Sequence, residues 1–150
     1  MAALLMAIYL QGLDREETRH LTIGMRDSGD VLQFPDDHRP LVDKHSTGGT
    51  LDKMESIPGC RTALSPREIV DQVQSVGCVL CGQTQEMIPA DRILYAMRDV
   101  TGTICSIPLI TSSILSKQLA ENIGSLLLDV KFGRAAFMKS SKDGHDLAFA

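Results

Sequence analysis

The sequence contains no tryptophan and few other aromatic residues, only four phenylalanines and two tyrosines among its 150 residues. Few rings are therefore available on which the bases of a single-stranded nucleic acid could stack. The chain also lacks an excess of basic charge, because 15 lysines and arginines stand against 19 aspartates and glutamates, for a net charge of −4. Non-specific nucleic-acid binding depends on the opposite balance. The composition thus argues against a nucleic-acid partner.

A long apolar run is missing as well. The longest one, residues 1–10, is far shorter than the ~20 residues that span a bilayer. It has no basic leader of the kind that precedes a signal-peptide core, and it continues directly into charged residues at 14–17. We therefore expect an ordinary helix at this position, no membrane contact and a cytoplasmic location.

The four cysteines lack the pattern of a metal site. Cys78 and Cys81 have the spacing of a zinc knuckle or a redox pair, but they lie in an apolar run between glycines, which predicts a buried strand over 78–81. Residues three apart on a strand point to opposite faces, and no second ligand pair accompanies them. The sequence predicts buried free thiols, no metal and no cofactor.

Helical and extended patterns alternate along the rest of the chain. Helices are predicted over 2–10, from a capping box at 14–17 to about 26, over 66–76, from 89 to about 99 and over 106–122, and strands over 41–43, 78–81 and 125–131, the last as a buried strand. A length of 150 residues leaves room for one ordinary domain or two small lobes. The alternation predicts the α/β class.

The polar loop expected after the first strand carries groups that bind anions. Lys44 supplies a cation, Ser46 and Thr50 supply hydroxyls, and His45 supplies an imidazole that titrates near neutral pH. Backbone amides at the glycines 48–49 could approach an anion closely. The pattern is not that of a P-loop. From these residues alone, a phosphate site and a plain polar turn are equally good interpretations.

A second candidate region lies in the two helices predicted after residue 88. Ser113 and Lys117 are four residues apart, so they share a helix face. Taken alone, a lysine there is most simply a solvated charge, and Arg98 beside Asp99 is most simply half of a local ion pair.

Several motifs occur together in order along nearly the whole chain: DKHSTGG (43–49), TLDKMESIPG (50–59), PAD (89–91), LYAMRDV (94–100), SIPLITSSILSK (106–117) and LDVKFG (128–133). In this combination the chain resembles the thymidine phosphorylase family. The resemblance implies reversible phosphorolysis of thymidine to thymine and 2-deoxy-D-ribose 1-phosphate, a pentosyltransferase reaction with thymidine and phosphate as substrates. It also implies a homodimer that needs no metal or cofactor.

The resemblance further implies an architecture of two lobes with the active site between them. A small helical lobe would comprise residues 1–33 and 90–122, and an α/β lobe with a mixed sheet would comprise 38–88 and 124–150. Base contacts and phosphate contacts would then sit on different lobes, so catalysis would require the lobes to close.

The family's site residues carry over by position. The resemblance assigns phosphate contacts to Lys44, Ser46 and Thr50, pyrimidine contacts to His45, Arg98, Ser113 and Lys117, and a place beside the nucleoside to Tyr95. Cleavage of the glycosidic bond leaves negative charge on the base. Arg98 and Lys117 would stabilise that charge, His45 would supply a proton, and Ser113 would read the base edge.

One departure from the family pattern lies between Gly49 and Thr50. There the family has a helix, a strand and a second glycine-rich loop that this sequence lacks. The chain also begins inside the family's first helices and stops before its sheet is complete. We therefore expect a truncated enzyme chain with unpaired strand edges and uncovered apolar faces.

Three alternatives to a thymidine phosphorylase remain. One is a broader pyrimidine-nucleoside phosphorylase, and another is a catalytically impaired fragment that acts only by binding or dimerisation. A phosphoribosyltransferase of related fold is disfavoured, because Arg98, Ser113 and Lys117 match the nucleoside pattern together.

Overall fold

The structure, a computed structural model, describes residues 1–34, 40–46, 50–82, 84, 86–134 and 136–150; at positions 46, 50 and 52 the description covers the backbone only. In chain order these residues form α1 (Ala2–Gln11), α2 (Arg15–Arg26), β1 (Val42–Ser46), α3 (Thr50–Glu55), α4 (Pro66–Val76), α5 (Pro89–Thr101), α6 (Ile107–Glu121), β2 (Ser125–Asp129) and α7 (Ser141–Ala148). The combination of helices with a small parallel sheet confirms the predicted α/β class.

The predicted helices form, and local side-chain caps set their ends. At the start of α2, the Asp14 carboxylate accepts from the Glu17 backbone N–H at 2.8 Å, and the Glu17 carboxylate accepts from the Asp14 N–H at 2.9 Å. Ser65 and Glu68 form the same reciprocal box at the start of α4. These caps satisfy backbone donors that the first helical turn leaves without partners.

Helices α1, α2, α5 and α6 contact one another, with α6 at the centre. Leu5 and Ile8 of α1 pack on Leu109 of α6 in one apolar cluster. A second cluster comprises Met25, Leu32, Ile69, Met87, Ile88 and Ala120, and so ties α4 to the same helices. The contacts join the parts of the chain assigned to the helical lobe, while the division into two lobes stays a prediction.

Gly29 lets the segment after α2 cross closely over the segment before α5. A Cβ at position 29 would lie 2.3 Å from the backbone oxygens of both Glu86 and Met87, which is closer than a carbon and an oxygen can approach without a bond. The crossing is fixed by a hydrogen bond from the Asp30 N–H to the Glu86 carbonyl at 2.7 Å. Only glycine fits here, because backbone lies where any side chain would begin.

Strands β1 and β2 pair in parallel, with Val42 opposite Ser125 and Ser46 opposite Asp129. Lys44, His45 and Ser46 therefore belong to a strand. The expectation of a loop beginning at Lys44 was wrong, because β2 supplies a hydrogen-bonding partner as far as Ser46. Helix α3, which the sequence patterns do not predict, begins at Thr50.

The small sheet leaves apolar side chains uncovered. Leu126, Leu127 and Leu128 of β2 are all exposed, Leu127 to 60%. The prediction of a buried strand here was wrong about burial, while the prediction of uncovered apolar faces is confirmed. Within the described residues this sheet has two strands only, so each strand lacks a second neighbour and the layers that would cover it.

The expected strand over 78–81 does not form. A strand needs a partner ladder, and within the described residues the only named strands are β1 and β2. All four cysteines have free thiols, as predicted. The prediction that they are buried was wrong, because Cys78 and Cys105 are exposed and Cys60 and Cys81 are half-buried. Burial, with smaller contributions from Glu121 and Asp43, raises the pKa of the Cys81 thiol to about 11.

Helices in the part of the chain that the structure describes are all too short or too polar to cross a membrane.

Candidate active site

The candidate site lies where β1 meets α6. Side chains alternate between the two faces of a strand. His45 contacts α6, because its Nδ1 lies 3.0 Å from Nε2 of Gln118. Lys44, the preceding residue, is exposed and bonds Asp129 of β2 instead. The structure therefore brings His45 to the helix that carries Ser113 and Lys117, and keeps Lys44 apart from that cluster.

Lys117 is the centre of the cluster. Its ammonium donates to Asp91 Oδ2 at 2.6 Å, to Ser113 Oγ at 2.8 Å and to the Ser113 carbonyl at 2.9 Å. Burial lowers the pKa of Lys117, and the Asp91 carboxylate opposes that shift. The interpretation of Lys117 as a solvated charge was wrong, because neighbouring helices bury it and supply a counter-charge.

Asp91 is a functional candidate that the sequence reasoning missed. It lies in the first turn of α5, after the proline that begins this helix, and its side chain is fully enclosed. One oxygen, Oδ2, holds Lys117, while Oδ1 is buried without a hydrogen-bond partner among the described residues. The PAD motif marked a helix start, but spacing in the sequence gave no sign that its carboxylate reaches a lysine 26 residues later.

His45 is held in an environment that favours a neutral ring. Burial is the largest cause that lowers the pKa of its imidazole, and the positive charge of Lys117 lowers it further. The Asp43 carboxylate lies 3.8 Å from Nδ1 and acts in the opposite direction. The sum is a lowered pKa, which favours the neutral form of the imidazole.

Arg98 is buried beside this cluster, with 2% of the residue exposed. Its guanidinium donates to the backbone carbonyls of Leu109 at 3.1 Å and Ile104 at 2.5 Å. The interpretation of Arg98 as a partner of Asp99 was wrong, because the side chain turns inward to one carbonyl in the segment before α6 and one in the first turn of α6. Nε is buried with no partner among the described residues.

Tyr95 lies next to Arg98 on α5. Its ring is exposed, and the guanidinium carbon of Arg98 lies 5.5 Å from the ring centroid. This is within the range of a cation–π contact. The structure therefore places Tyr95 at the surface beside a buried cation.

Of the three predicted phosphate contacts, only Lys44 has a side chain that the structure describes. Lys44 Nζ donates to Asp129 Oδ2 at 2.7 Å, and Lys131 Nζ donates to the same oxygen at 2.6 Å. These two lysines lower the pKa of Asp129 to about 2. The side chains of Ser46 and Thr50 lie outside the described residues.

Two carboxylates, Glu121 and Asp43, act on each other near His45. Burial raises the pKa of Glu121 to about 8, and the nearby Asp43 carboxylate raises it further against the opposing effect of Lys117. Asp43 Oδ2 is buried and has no hydrogen-bond partner in the described structure. The negative charge of Asp43 on β1 is thus close enough to Glu121, at the end of α6, to disfavour its ionised form.

Across the described ranges, from 1–34 to 136–150, no three His, Cys, Asp or Glu side chains are grouped so that they could hold a metal ion. The cluster around Lys117 itself consists of charged groups and hydrogen-bond donors. Lys117 bonds the Ser113 hydroxyl, its charge acts on the His45 imidazole, and the charge of the buried Arg98 acts on Lys117 in turn. Such a group suits a ligand that carries oxygens and gains negative charge during reaction.

The chain matches the family described as "Glycosyl transferase family, a/b domain" over residues 43–149. It is also similar to proteins named thymidine phosphorylase from bacteria and mammals. The relative from Agrobacterium fabrum is 45% identical over 99% of this chain, and those from Rattus norvegicus and Homo sapiens are each 42% identical over 99% of it.

The chain spans about 40% of the length of these relatives, from 38% for the mammalian proteins to 42% for the bacterial one. The alignments extend over 182 positions, more than the 150 residues of this chain, so the relatives contain internal residues that it lacks. The matched part includes β1, α5, α6 and β2, the elements that build the cluster around Lys117. The family match covers well over half of the sequence, and the chain therefore belongs to this glycosyl transferase family.

Proposed function

We propose that this chain provides the pyrimidine-binding part of a thymidine phosphorylase, a pentosyltransferase that converts thymidine and phosphate to thymine and 2-deoxy-D-ribose 1-phosphate. The observation that carries the proposal is the convergence of Lys117, Ser113 and His45. The ammonium of Lys117 lies 2.8 Å from the Ser113 hydroxyl, and His45 is close enough for the lysine charge to lower its pKa. All three belong to the motifs of the relatives' family.

The reaction develops negative charge on the pyrimidine as the glycosidic bond breaks. In the proposal, Lys117 supplies the positive charge that stabilises this anion, in a setting where little water screens it. The Ser113 oxygen accepts from Lys117, so its own O–H is available to donate to a pyrimidine carbonyl. The neutral imidazole of His45 acts as a second hydrogen-bond donor rather than as a strong acid, because its pKa is lowered.

Arg98 and Tyr95 complete the proposed base site. The Arg98 guanidinium adds a second fixed cation behind Lys117, and its bonds to Leu109 and Ile104 hold it in one orientation. Tyr95 offers an exposed ring beside it. A cation held by backbone carbonyls needs no reorganisation when charge develops on the substrate.

Phosphate would bind on the other side of β1. Lys44 is the cation of this subsite, with Ser46 and Thr50 as its hydroxyl donors. In the proposal these residues belong to an α/β lobe (38–88 and 124–150) that closes on a helical lobe (1–33 and 90–122). Cytoplasmic location and a homodimer are parts of the same proposal.

The proposal is tested with the purified chain, thymidine and inorganic phosphate. We expect thymine release that requires phosphate, is followed by absorbance or chromatography, and is abolished by Lys117→Met. The control is Lys139→Met, since Lys139 is exposed and its ammonium donates to the Ala136 carbonyl, outside the cluster around Lys117. Thymine release that is absent, or that survives Lys117→Met unchanged, would sink the proposal.

A second candidate is a fragment that binds nucleoside without turning it over. The exposed leucines of β2 favour this interpretation. Calorimetric titration with thymidine separates the two, because binding with no thymine release supports the fragment. Uridine in place of thymidine, in the same release assay, separates a broader pyrimidine-nucleoside phosphorylase from a thymidine-specific enzyme.

A further inference from the structure

Gln118 follows Lys117 on α6 and is buried, with 5% of the residue exposed. Its side-chain Nε2 lies 3.0 Å from His45 Nδ1, across 73 residues of sequence. The contact ties the strand that carries the imidazole to the helix that carries Ser113 and Lys117. None of the roles assigned above involves Gln118.

The chemistry of the two nitrogens fixes the position of the ring proton. The amide nitrogen of glutamine has two hydrogens and no acceptor site, so it can only donate. His45 Nδ1 must then accept, and in a neutral imidazole the proton resides on Nε2. The tautomer follows from the orientation of the Gln118 amide, in which Nε2 lies 3.0 Å from Nδ1 and Oε1 is buried with no partner among the described residues.

Asp43 provides an independent observation. Its Oδ2 lies 3.8 Å from the same Nδ1, too far for a hydrogen bond, and is buried with no partner among the described residues. A proton on Nδ1 would give this carboxylate oxygen a donor to approach. The unpartnered oxygen is therefore consistent with an Nδ1 that carries no proton.

We propose that Gln118 is a positioning residue that holds His45 as the Nε2–H tautomer, and thereby makes Nε2 the hydrogen-bond donor offered to the pyrimidine. The role toward substrate rests on the proposed function, whereas the tautomer does not. The other orientation of the amide, with Oε1 toward Nδ1, would place the proton on Nδ1 and so remove the Nε2–H donor. The two arrangements predict different protonated nitrogens.

The test is long-range proton–nitrogen NMR of the imidazole rings in the full 150-residue chain labelled with ¹⁵N, with His45→Gln identifying the His45 signals. For the unaltered chain at pH 7.5 we expect a protonated Nε2 and an unprotonated Nδ1. In Gln118→Glu the carboxylate accepts instead of donating, so the proton should move to Nδ1. The control Gln72→Glu, on an exposed position of α4, should leave the His45 signals unchanged.

Two results would overturn the tautomer: Nδ1 protonated in the unaltered chain, or His45 signals that do not respond to Gln118→Glu. Gln118→Ala, checked for an intact amide spectrum, gives a second variant if the glutamate disturbs folding. It should loosen the ring and change the His45 signals without moving the proton fully to Nδ1.

The positioning role of Gln118 toward the substrate is tested by measuring kcat and KM for thymidine. Gln118→Glu should lower kcat by about tenfold or more while KM changes little, as expected when a partner behind a functional imidazole is altered. An unchanged kcat in a variant whose proton has moved would overturn the positioning role. If the unaltered chain releases no thymine, the proposed function fails, while the NMR result still decides the tautomer.

Discussion

Lys117 and Asp91 form an ion pair with only 17% and 1% of their side chains exposed, and their charged atoms lie 2.6 Å apart. The pair joins the middle of α6 to the first turn of α5, and the ammonium also bonds Ser113. A buried charge is tolerated only when a partner and hydrogen bonds replace its lost water. The same pair is therefore part of the folded core and the source of the charge in the proposed base site.

Asp91→Ala should destabilise the chain strongly, because it leaves the Lys117 ammonium buried without its counter-charge. We expect the free energy of unfolding to fall by about 3–5 kcal/mol, measured by urea denaturation. The control is Asp71→Ala, which removes an exposed partner of Arg67 at 3.8 Å and should change stability by about 1 kcal/mol or less. Equal small effects of the two substitutions would contradict the importance of the buried pair.

Glu121 should make stability depend on pH. Its folded pKa of about 8 lies above the ordinary value of 4.5, so the folded state holds a proton that the unfolded state releases. Stability is therefore lost as pH rises from about 4.5 to 8. Glu121→Gln should be more stable than the unaltered chain above pH 8, by on the order of a few kcal/mol, and nearly equal to it below pH 4.5.

Urea denaturation at several pH values measures this difference. Glu16→Gln serves as the control, because Glu16 is an exposed residue of α2 and its replacement should leave the pH slope unchanged. A stability difference between Glu121→Gln and the unaltered chain that stays constant from pH 4.5 to pH 8 would show that this carboxyl is not buried beside Asp43.

Ser65→Ala should weaken the start of α4. The serine hydroxyl accepts from the Glu68 backbone N–H at 3.3 Å, and Glu68 bonds back to the Ser65 N–H at 2.8 Å. Loss of such a cap costs about 1 kcal/mol, which thermal unfolding should detect as a lower Tm. The control is Ser75→Ala in the same helix. The Ser75 hydroxyl donates to the backbone carbonyls of Asp71 and Gln72 and caps no helix end, so its loss should have a smaller effect.

Asp129→Asn should strengthen phosphate binding at Lys44. The Asp129 carboxylate now occupies both Lys44 and Lys131, at 2.7 and 2.6 Å, and it repels an incoming anion. Because the removed charge repels phosphate, affinity for inorganic phosphate should rise by roughly a few fold at low salt and by less at high salt, where the charge is screened. Titration of phosphate into both proteins measures it, and a weaker affinity in the variant would contradict the placement.

The helices could be predicted from sequence because their signals are local. Asp14 and Glu17, and Ser65 and Glu68, lie three residues apart and find each other within a single turn. Whether residues 78–81 form a strand could not be predicted from such local signals. Their apolar run fits a buried strand, but a strand exists only where another strand lies beside it.

The sequence by itself determined the helical segments, their caps, the α/β class and the motifs that place the chain in its family, since each depends on neighbours within a few residues or on residue identity. Tertiary structure decided that Lys117 is buried on Asp91 and that Gln118 meets His45, contacts that span 26 and 73 residues. It also decided that β2 is exposed, because the burial of a strand depends on which segments, distant in sequence, pack against it. Charge state and tautomer follow from those non-local neighbours, which no local pattern encodes.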